Sequence, residues 1–586
     1  MKQFLITVAG VVVGSILVSI LGWIVLLGFI GAASAPAPQP GRMVLALDLR
    51  QGMTDQQPTN PFAALSAAPS LLDTITRIEA ARTDNRVRGI FIRANTGGMP
   101  AAQAEELRAA LASFRASGKF VVAHVQNDGV RMGMPGYMAV ADSDEVWLQE
   151  TSEVMPMGLS AEVTFFAGTL QRYHMQAQFE AREDYKTFAA NLTQRTFTPE
   201  HRESVMSLMG GMYENMLTNI AADRGITLEQ ARAAIEATPF VAQEGVTRQL
   251  FDTLGRPEEA ARRALELGEN ADLVDFVEYR APMHRPGGRT IAIVQGEGAI
   301  VSGPDEGGGL FGDESIFNSD RIAEALLEAS DNDDVAAIVF RVSSPGGSVV
   351  ASDQILAALR TARERGKIVV VSMGDVAASG GYYVSAYANE IVASPSTITG
   401  SIGVVGGKLI IGPAIDHYLS TNTETISMGS PLINGFSSER PFTPEERAAF
   451  TGFIDRAYTQ FVGLVAEGRE MTPEQVRAVA GGRVWTGQQA LERGLVDHLG
   501  GFQVAIARAR ALAGIGEDDR VQLRFYPAQD NPFAAFGRLF GASAESVETL
   551  ARVNAVLSDP RARQALEALR EDDANVRARA DAMHIE

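Results

Sequence analysis

Two hydrophobic patterns alternate along most of this chain. Short runs rich in β-branched residues, from Ala336 to Val342, Ile368 to Ser372 and Glu390 to Ala393, predict buried strands. Between them the apolar positions recur with helical spacing. From Ala351 to Arg365, Ile355, Leu356 and Leu359 share one face, and Arg360, Arg363 and Glu364 the other. Strand, crossover helix and next strand predict parallel pairing, and so an α/β fold with its sheets buried on both faces.

The pattern is written twice. Ile90-Phe91-Ile92-Arg93-Ala94-Asn95-Thr96-Gly97-Gly98 returns as Ile338-Val339-Phe340-Arg341-Val342-Ser343-Ser344-Pro345-Gly346-Gly347. Gly118-Lys119-Phe120-Val121-Val122 returns as Gly366-Lys367-Ile368-Val369-Val370, an offset of 248. Downstream the offset settles at 245. Tyr137 meets Tyr382, Glu145-Val146 meets Glu390-Ile391, and Phe197-Thr198-Pro199-Glu200 meets Phe442-Thr443-Pro444-Glu445. An offset held this long marks a tandem duplication. Differences between the copies then carry information. Ser379 of the second copy stands where the first has Met134, and Lys186 of the first stands where the second has Pro431.

These patterns divide the chain into a first repeat, 43–270, a turn-rich linker, 271–289, and a second repeat, 290–515. The remainder, 516–586, matches neither copy. It holds a strand-like Val521-Gln522-Leu523-Arg524-Phe525 and a charged tail from about Ser543, expected to cap the assembly or fray into solvent. Ahead of the repeats, residues 3–41 carry no charge, and the run from Phe4 to Ala33 is almost wholly apolar. That is enough to cross about 30 Å of hydrocarbon, so 1–34 is read as a transmembrane anchor and 35–42 as a stiff proline-rich linker. A cleavable signal peptide is the rival reading. The run is roughly twice a usual signal core, and Pro36 directly follows the small residues Ala33-Ser34-Ala35. Lys2 and the amino terminus favour the cytoplasmic side, which places the repeats on the extracytoplasmic side.

Composition narrows the functional classes. Hydrophobic content of 46% against 21% charged residues excludes global disorder. A formal charge of −20 without a Lys/Arg cluster argues against a nucleic-acid partner. The absence of cysteine removes disulfides, thiolate metal sites and a cysteine nucleophile. No His-Glu-x-x-His and no clustered carboxylate spacing appears, so neither metal nor cofactor is expected. The apolar-tipped segments Thr59-Asn60-Pro61-Phe62 and Gly307-Gly308-Gly309-Leu310-Phe311 suit substrate or subunit contacts, or plain packed loops.

Ser379 lies between the strand-like Val369 to Met373 and an apolar helix from Tyr382 to Tyr387. A strand-to-helix turn sets the free N–H groups and positive end of the helix beside the hydroxyl, where they can stabilise an oxyanion. A simple helix N-cap fits the same hexapeptide. In Ser344-Pro345-Gly346-Gly347-Ser348 the glycine N–H groups can form an anion-binding nest, or the glycines can merely end a strand. No lysine follows them, which excludes a phosphate loop.

Ser344-Pro345-Gly346-Gly347, Ala378-Ser379-Gly380-Gly381-Tyr382 and Thr399-Gly400-Ser401-Ile402-Gly403 together resemble the signal peptide peptidase A family, of the Clp-protease/crotonase superfamily. The duplicated length, the apolar N-terminus, Asp184-Tyr185-Lys186 and Gly494-Leu495-Val496-Asp497 are similar to its long, two-repeat protease IV type. The resemblance implies two ββα-spiral domains, with Ser379 as nucleophile and Lys186 as general base. It gives the N–H groups of Gly347 and Gly380 the oxyanion hole. It also implies hydrophobic extended peptides, such as cleaved signal peptides, as substrates. The expected setting is a homotetramer on the periplasmic side of the inner membrane.

Elimination leads independently to a lysine. A serine nucleophile usually relies on histidine, yet the stretch from Ser379 to Asp416 has none. His417 beside Asp416 is the nearest candidate and reads more simply as a surface pair. Lysine is the remaining base. It must be neutral to act, which asks for a fall of ~3 from its reference pKa, about 4 kcal/mol. Burial can supply this. Tyr185 and Phe188 are the candidate walls, while Glu183 and Asp184 would oppose the fall if they faced the amine. Ser401 is a candidate orienter of the lysine, or a structural turn serine. Asp252-Thr253-Leu254-Gly255 and Asp497-His498-Leu499-Gly500, kept in both copies, are assigned a structural role. A crotonase-type acyl-CoA enzyme and a non-catalytic membrane scaffold are the alternatives. Neither repeat holds both halves of the pair, so the site is expected where a first copy meets a second.

Overall fold

The apolar runs form two parallel sheets, one per repeat. The computed structural model describes residues 39–56, 70–95, 98–127, 132–282, 287–303, 316–516 and 519–527. The apolar segment 1–34, the tips Thr59 to Phe62 and Gly307 to Phe311, and the tail beyond 527 lie outside the described residues. Among the described residues no helix is long and apolar enough to cross a membrane.

The first sheet runs Thr253–Leu254, Glu145–Leu148, Phe120–Gln126, Val87–Asn95, Met43–Asp48 and Asp272–Asp275, each pair parallel. The main path of the second runs Val484–Thr486, Ile398–Gly400, Ile368–Ala378, Val335–Ser344, Arg289–Glu297 and Val521–Tyr526. Within it only Ile398–Gly400 and Val484–Thr486 pair antiparallel. The helix Val349–Glu364 buries Ile355, Leu356 and Leu359 against the second sheet, as the spacing predicts.

Asp272–Asp275 and Val521–Tyr526 each pair with the first strand of their own repeat, as equivalent edge strands. The segments 271–289 and 516–586 thus each contain an edge strand added to the sheet of the repeat before it. Edge strands are half exposed and little constrained in sequence, which hid the equivalence.

Elsewhere the duplication is visible bond by bond. Tyr137 Oη donates to Leu250 O, and Tyr382 Oη to Leu495 O. The Val146 N–H donates to Asp252 Oδ2 and the Ile391 N–H to Asp497 Oδ2, both at 2.7 Å. Arg224 and Arg469 hold the same two aspartates. Satisfying these buried polar groups is the structural work of the repeated aspartate.

Two of the junctions between the repeats stand out. Gln176–Ala181 of the first pairs antiparallel with Val405–Ile410 of the second. Beside this ribbon the rings of His174 and His417 lie 4.2 Å apart. The second junction is ionic. Arg341, fully buried in the second sheet, donates to Asp55 at 2.9 Å and to Glu106 at 2.8 Å, both from the first repeat. Its remaining donors reach Ser372 Oγ and Met373 O. Glu106 also accepts from the Phe502 N–H, and Glu105 from Ser396.

A buried pair adds little over apolar packing, but breaking one strands a charge. Arg341→Ala leaves two buried carboxylates without their cation. It is expected to cost about 3–5 kcal/mol in chemical denaturation. A cost below about 1 kcal/mol would mean water reaches the cluster.

Candidate active site

Ser379 ends the strand Ile368–Ala378 and opens the helix Gly380–Ser385, at φ 54° and ψ −116°. A non-glycine residue there stores roughly 1–3 kcal/mol of strain. Two backbone bonds hold it: the Ser379 N–H donates to Gly400 O at 2.9 Å, and the Tyr383 N–H to Ser379 O at 2.8 Å. The Ser379 side chain makes no capping hydrogen bond, so the N-cap alternative does not describe it.

The glycine turn packs directly onto this serine. A Cβ on Gly346, at φ +104°, would stand 2.6 Å from Gly380 N and 2.9 Å from Ser379 Cβ, so only glycine permits the approach. Ile300 brackets the turn. Its N–H donates to Gly346 O at 3.0 Å, and its carbonyl accepts from the Ser348 N–H at 2.9 Å. Such a bridge turns the Gly347 N–H to the opposite side. The Gly380 N–H heads its helix and has no intrahelical acceptor. Gly347 N lies 3.2 Å from where a Gly380 Cβ would be, so the two donors are neighbours. The expected nest is smaller than the motif suggested, because the Gly346 N–H donates to Ser344 Oγ.

Lys186 arrives from the first repeat, in the loop after Gln176–Ala181. That loop is laced to the second repeat: Arg182 N–H donates to Val404 O at 2.9 Å, and Tyr185 N–H to Gly481 O at 3.2 Å. Lys186 Nζ lies 2.9 Å from Ser379 Oγ, 2.9 Å from Ser401 O and 3.0 Å from Ser401 Oγ. Ser401 is itself held at φ 51° by its N–H donating to Arg483 O at 2.7 Å. The chain thus brings Lys186, Ser379 and Ser401 together within one molecule. His417 packs on His174 instead.

The walls around Lys186 differ from expectation. Phe188 is 79% exposed, and Tyr185 lies under the Arg483 guanidinium, 5.1 Å from it. The lysine stem threads between two glycines of the second repeat. A Cβ on Gly482 would stand 2.5 Å from Lys186 Cβ, and one on Gly403 3.2 Å from Lys186 Cδ. Lys186 is 8% exposed, and this burial pulls its amine down to about 7. Desolvation is the cause; neither Glu183 nor Asp184 opposes it. Sequence reasoning misses Gly482 and Ile300, and gives Gly403 no role beyond its place in the run from Thr399 to Gly403. The Gly481-Gly482 pair was the one available signal, and nothing in sequence ties it to a residue almost three hundred positions earlier.

The chain is similar in sequence to known proteins. Peptidase family S49 is matched twice, over residues 113–271 and 361–516. Protease 4 of Salmonella typhi is 31% identical over 502 residues, covering 81% of this chain and 79% of that protein. The chloroplastic serine protease SPPA of Arabidopsis thaliana is 29% identical over 492 residues, 82% of this chain and 70% of that one. Protease 4 of Haemophilus influenzae is 27% identical over 476 residues, 77% and 74% respectively.

Desolvation of Lys186 has a thermodynamic signature. Its folded pKa lies below its unfolded one, so between about 7 and its ordinary value the unfolded chain binds the extra proton. Stability therefore rises with pH across that window. Lys186→Met removes the effect, and is expected to be more stable than the parent near pH 7. The gap should close on raising the pH, with a slope of up to about 1.4 kcal/mol per pH unit. Parallel stability curves for the two proteins would contradict a buried neutral lysine.

Proposed function

Because the chain belongs to peptidase family S49, we propose that its serine peptidase activity runs on a dyad of Ser379 and Lys186, one residue from each repeat. The neutral amine directs two N–H bonds at Ser401 O and Oγ, which leaves its lone pair for the Ser379 hydroxyl 2.9 Å away. Ser379 Oγ attacks the peptide carbonyl while Lys186 takes its proton. The oxyanion accepts from the N–H groups of Gly347 and Gly380. Collapse to the acyl-enzyme breaks the C–N bond, and Lys186 returns the proton to the leaving amine. A water deprotonated by the same lysine then releases the acid and restores the serine.

The observation that carries this reading is a buried amine, without a carboxylate partner, in contact with a serine held in a strained turn. The substrates are hydrophobic extended peptides, signal peptides among them, reached by a chain tethered through 1–34 on the periplasmic side of the inner membrane. Support for a homotetramer comes from the pairing between repeats. Val405–Ile410 and Gln176–Ala181 pair within the chain. Their counterparts, 160–165 and 421–426, belong to no strand and are largely exposed, with Ile426 at 96%. Joining these counterparts between chains, head to tail, repeats the same contact until a ring closes.

Ser379→Ala and Lys186→Ala are each expected to lower kcat/KM on a fluorogenic apolar peptide by about 10³-fold or more. The neutral base is populated above about 7. In the parent protein kcat/KM should therefore climb through a limb near that pH and level off above it. Full activity in Lys186→Ala, or a profile flat down to pH 5, would rule out the dyad.

A further inference from the structure

The first repeat keeps the shape of a site whose chemistry it has lost. Met134 takes the place of Ser379 and opens the helix Met134–Val140. Pro135, with no N–H to donate, takes the place of Gly380, and Pro156 that of Ser401. These replacements delete a nucleophile, an oxyanion donor and an orienter. The space beside them nevertheless stays open, as a cleft of about 380 Å³.

Its walls are chemically distinctive. Met99, Met134, Leu159 and Met212 come from the first repeat, and Asp375 and Ile398 from the second. Thioether side chains are flexible and polarizable, and suit apolar groups of varied shape. Asp375 sits at the polar side, accepting from Ser343 Oγ at 2.8 Å. The second-repeat wall also runs directly to the Ser379–Lys186 site. Asp375 lies on the strand Ile368–Ala378, which ends one residue before Ser379, and Ile398 begins the neighbouring strand, which ends before Ser401. At about 3.3 Å per extended residue, the four residues from Asp375 to Ser379 span ~13 Å. An extended peptide bound at Ser379 is long enough to cover that distance with a few residues of its own.

We propose that this cleft is a non-catalytic binding site for an apolar side chain of an extended peptide, namely the peptide whose scissile bond lies at Ser379. The proposal rests on the peptidase reading of Ser379. One copy of the duplicated site cuts, and the other holds. Peptides that reach the cleft gain an anchor that short ones lack, so the degenerate repeat favours long apolar substrates.

The test uses the full chain and two substrates sharing one scissile sequence: a short fluorogenic peptide amide, and a leucine-rich peptide extending well past the bond on both sides. Leu159→Trp and, separately, Met212→Phe fill the cleft without touching the Ser379–Lys186 site. Each is expected to raise KM for the long peptide about ten-fold while leaving kcat/KM for the short one unchanged. In Ser379→Ala, the long peptide carrying a photoreactive leucine analogue should crosslink to the segment holding Met134 or Leu159. Equal effects on both substrates, no effect on either, or crosslinks confined to the second repeat would each overturn the proposal. Undiminished turnover of the short peptide by Ser379→Ala would instead overturn the peptidase reading beneath it.

Discussion

An amine buried without a counter-ion is the constraint on which the rest of this molecule depends. Lys186 is nine-tenths buried, and its bonding partners are serine oxygens rather than carboxylates. An ammonium there would forfeit several kcal/mol of hydration, so the proton leaves instead. Arg341 answers the same problem in the opposite way. Fully buried, it is given Asp55 and Glu106, and its guanidinium is held charged well above its ordinary range. Arg341 joins the repeats as a paired cation; Lys186, left without a carboxylate, sheds its charge.

Neither environment exists within a single repeat. Lys186 is desolvated by Gly403 and Gly482 of the second copy, on a loop positioned by the ribbon between 176–181 and 405–410. Ser379 is held by Gly400 beneath it and by the glycine turn beside it, which Ile300 pins. The strain at Ser379 and the neutral state of Lys186 both cost stability. The two apolar cores offset that cost. Divergence after duplication therefore did more than silence one site. It let each copy specialise: the first carries the buried amine of Lys186 and keeps an apolar cleft, and the second carries Ser379 and the glycine turn beside it.

What was legible in the sequence follows from how local each signal is. Strands and helices announced themselves through periodicity, and the duplication through a constant offset. Ser379 stood out because a strand-to-helix serine flanked by glycines is a local pattern. Lys186 was reached by elimination and by resemblance, since its partner lies in the other repeat. Its walls are not the flanking Tyr185 and Phe188, because adjacency in sequence is not adjacency in space. Packing against Gly403 and Gly482 is a long-range contact with no local mark. The ionic junction was hidden for the same reason: Arg341 sits in an otherwise apolar strand, and nothing near it in sequence names Asp55 or Glu106. Of the two edge strands, Val521–Tyr526 shows in the sequence as a strand-like run, while Asp272–Asp275 does not, because its largely exposed positions tolerate almost any residue.

The protonation state of Lys186 can be read directly by carbon-13 NMR on protein labelled at lysine Cε. The chain has only five lysines, Lys2, Lys119, Lys186, Lys367 and Lys408, so the spectrum of a Lys186→Met variant assigns the resonance. A desolvated, unpaired amine predicts a Lys186 titration near 7. A titration near ~10.4, the value of a solvated lysine, would contradict it.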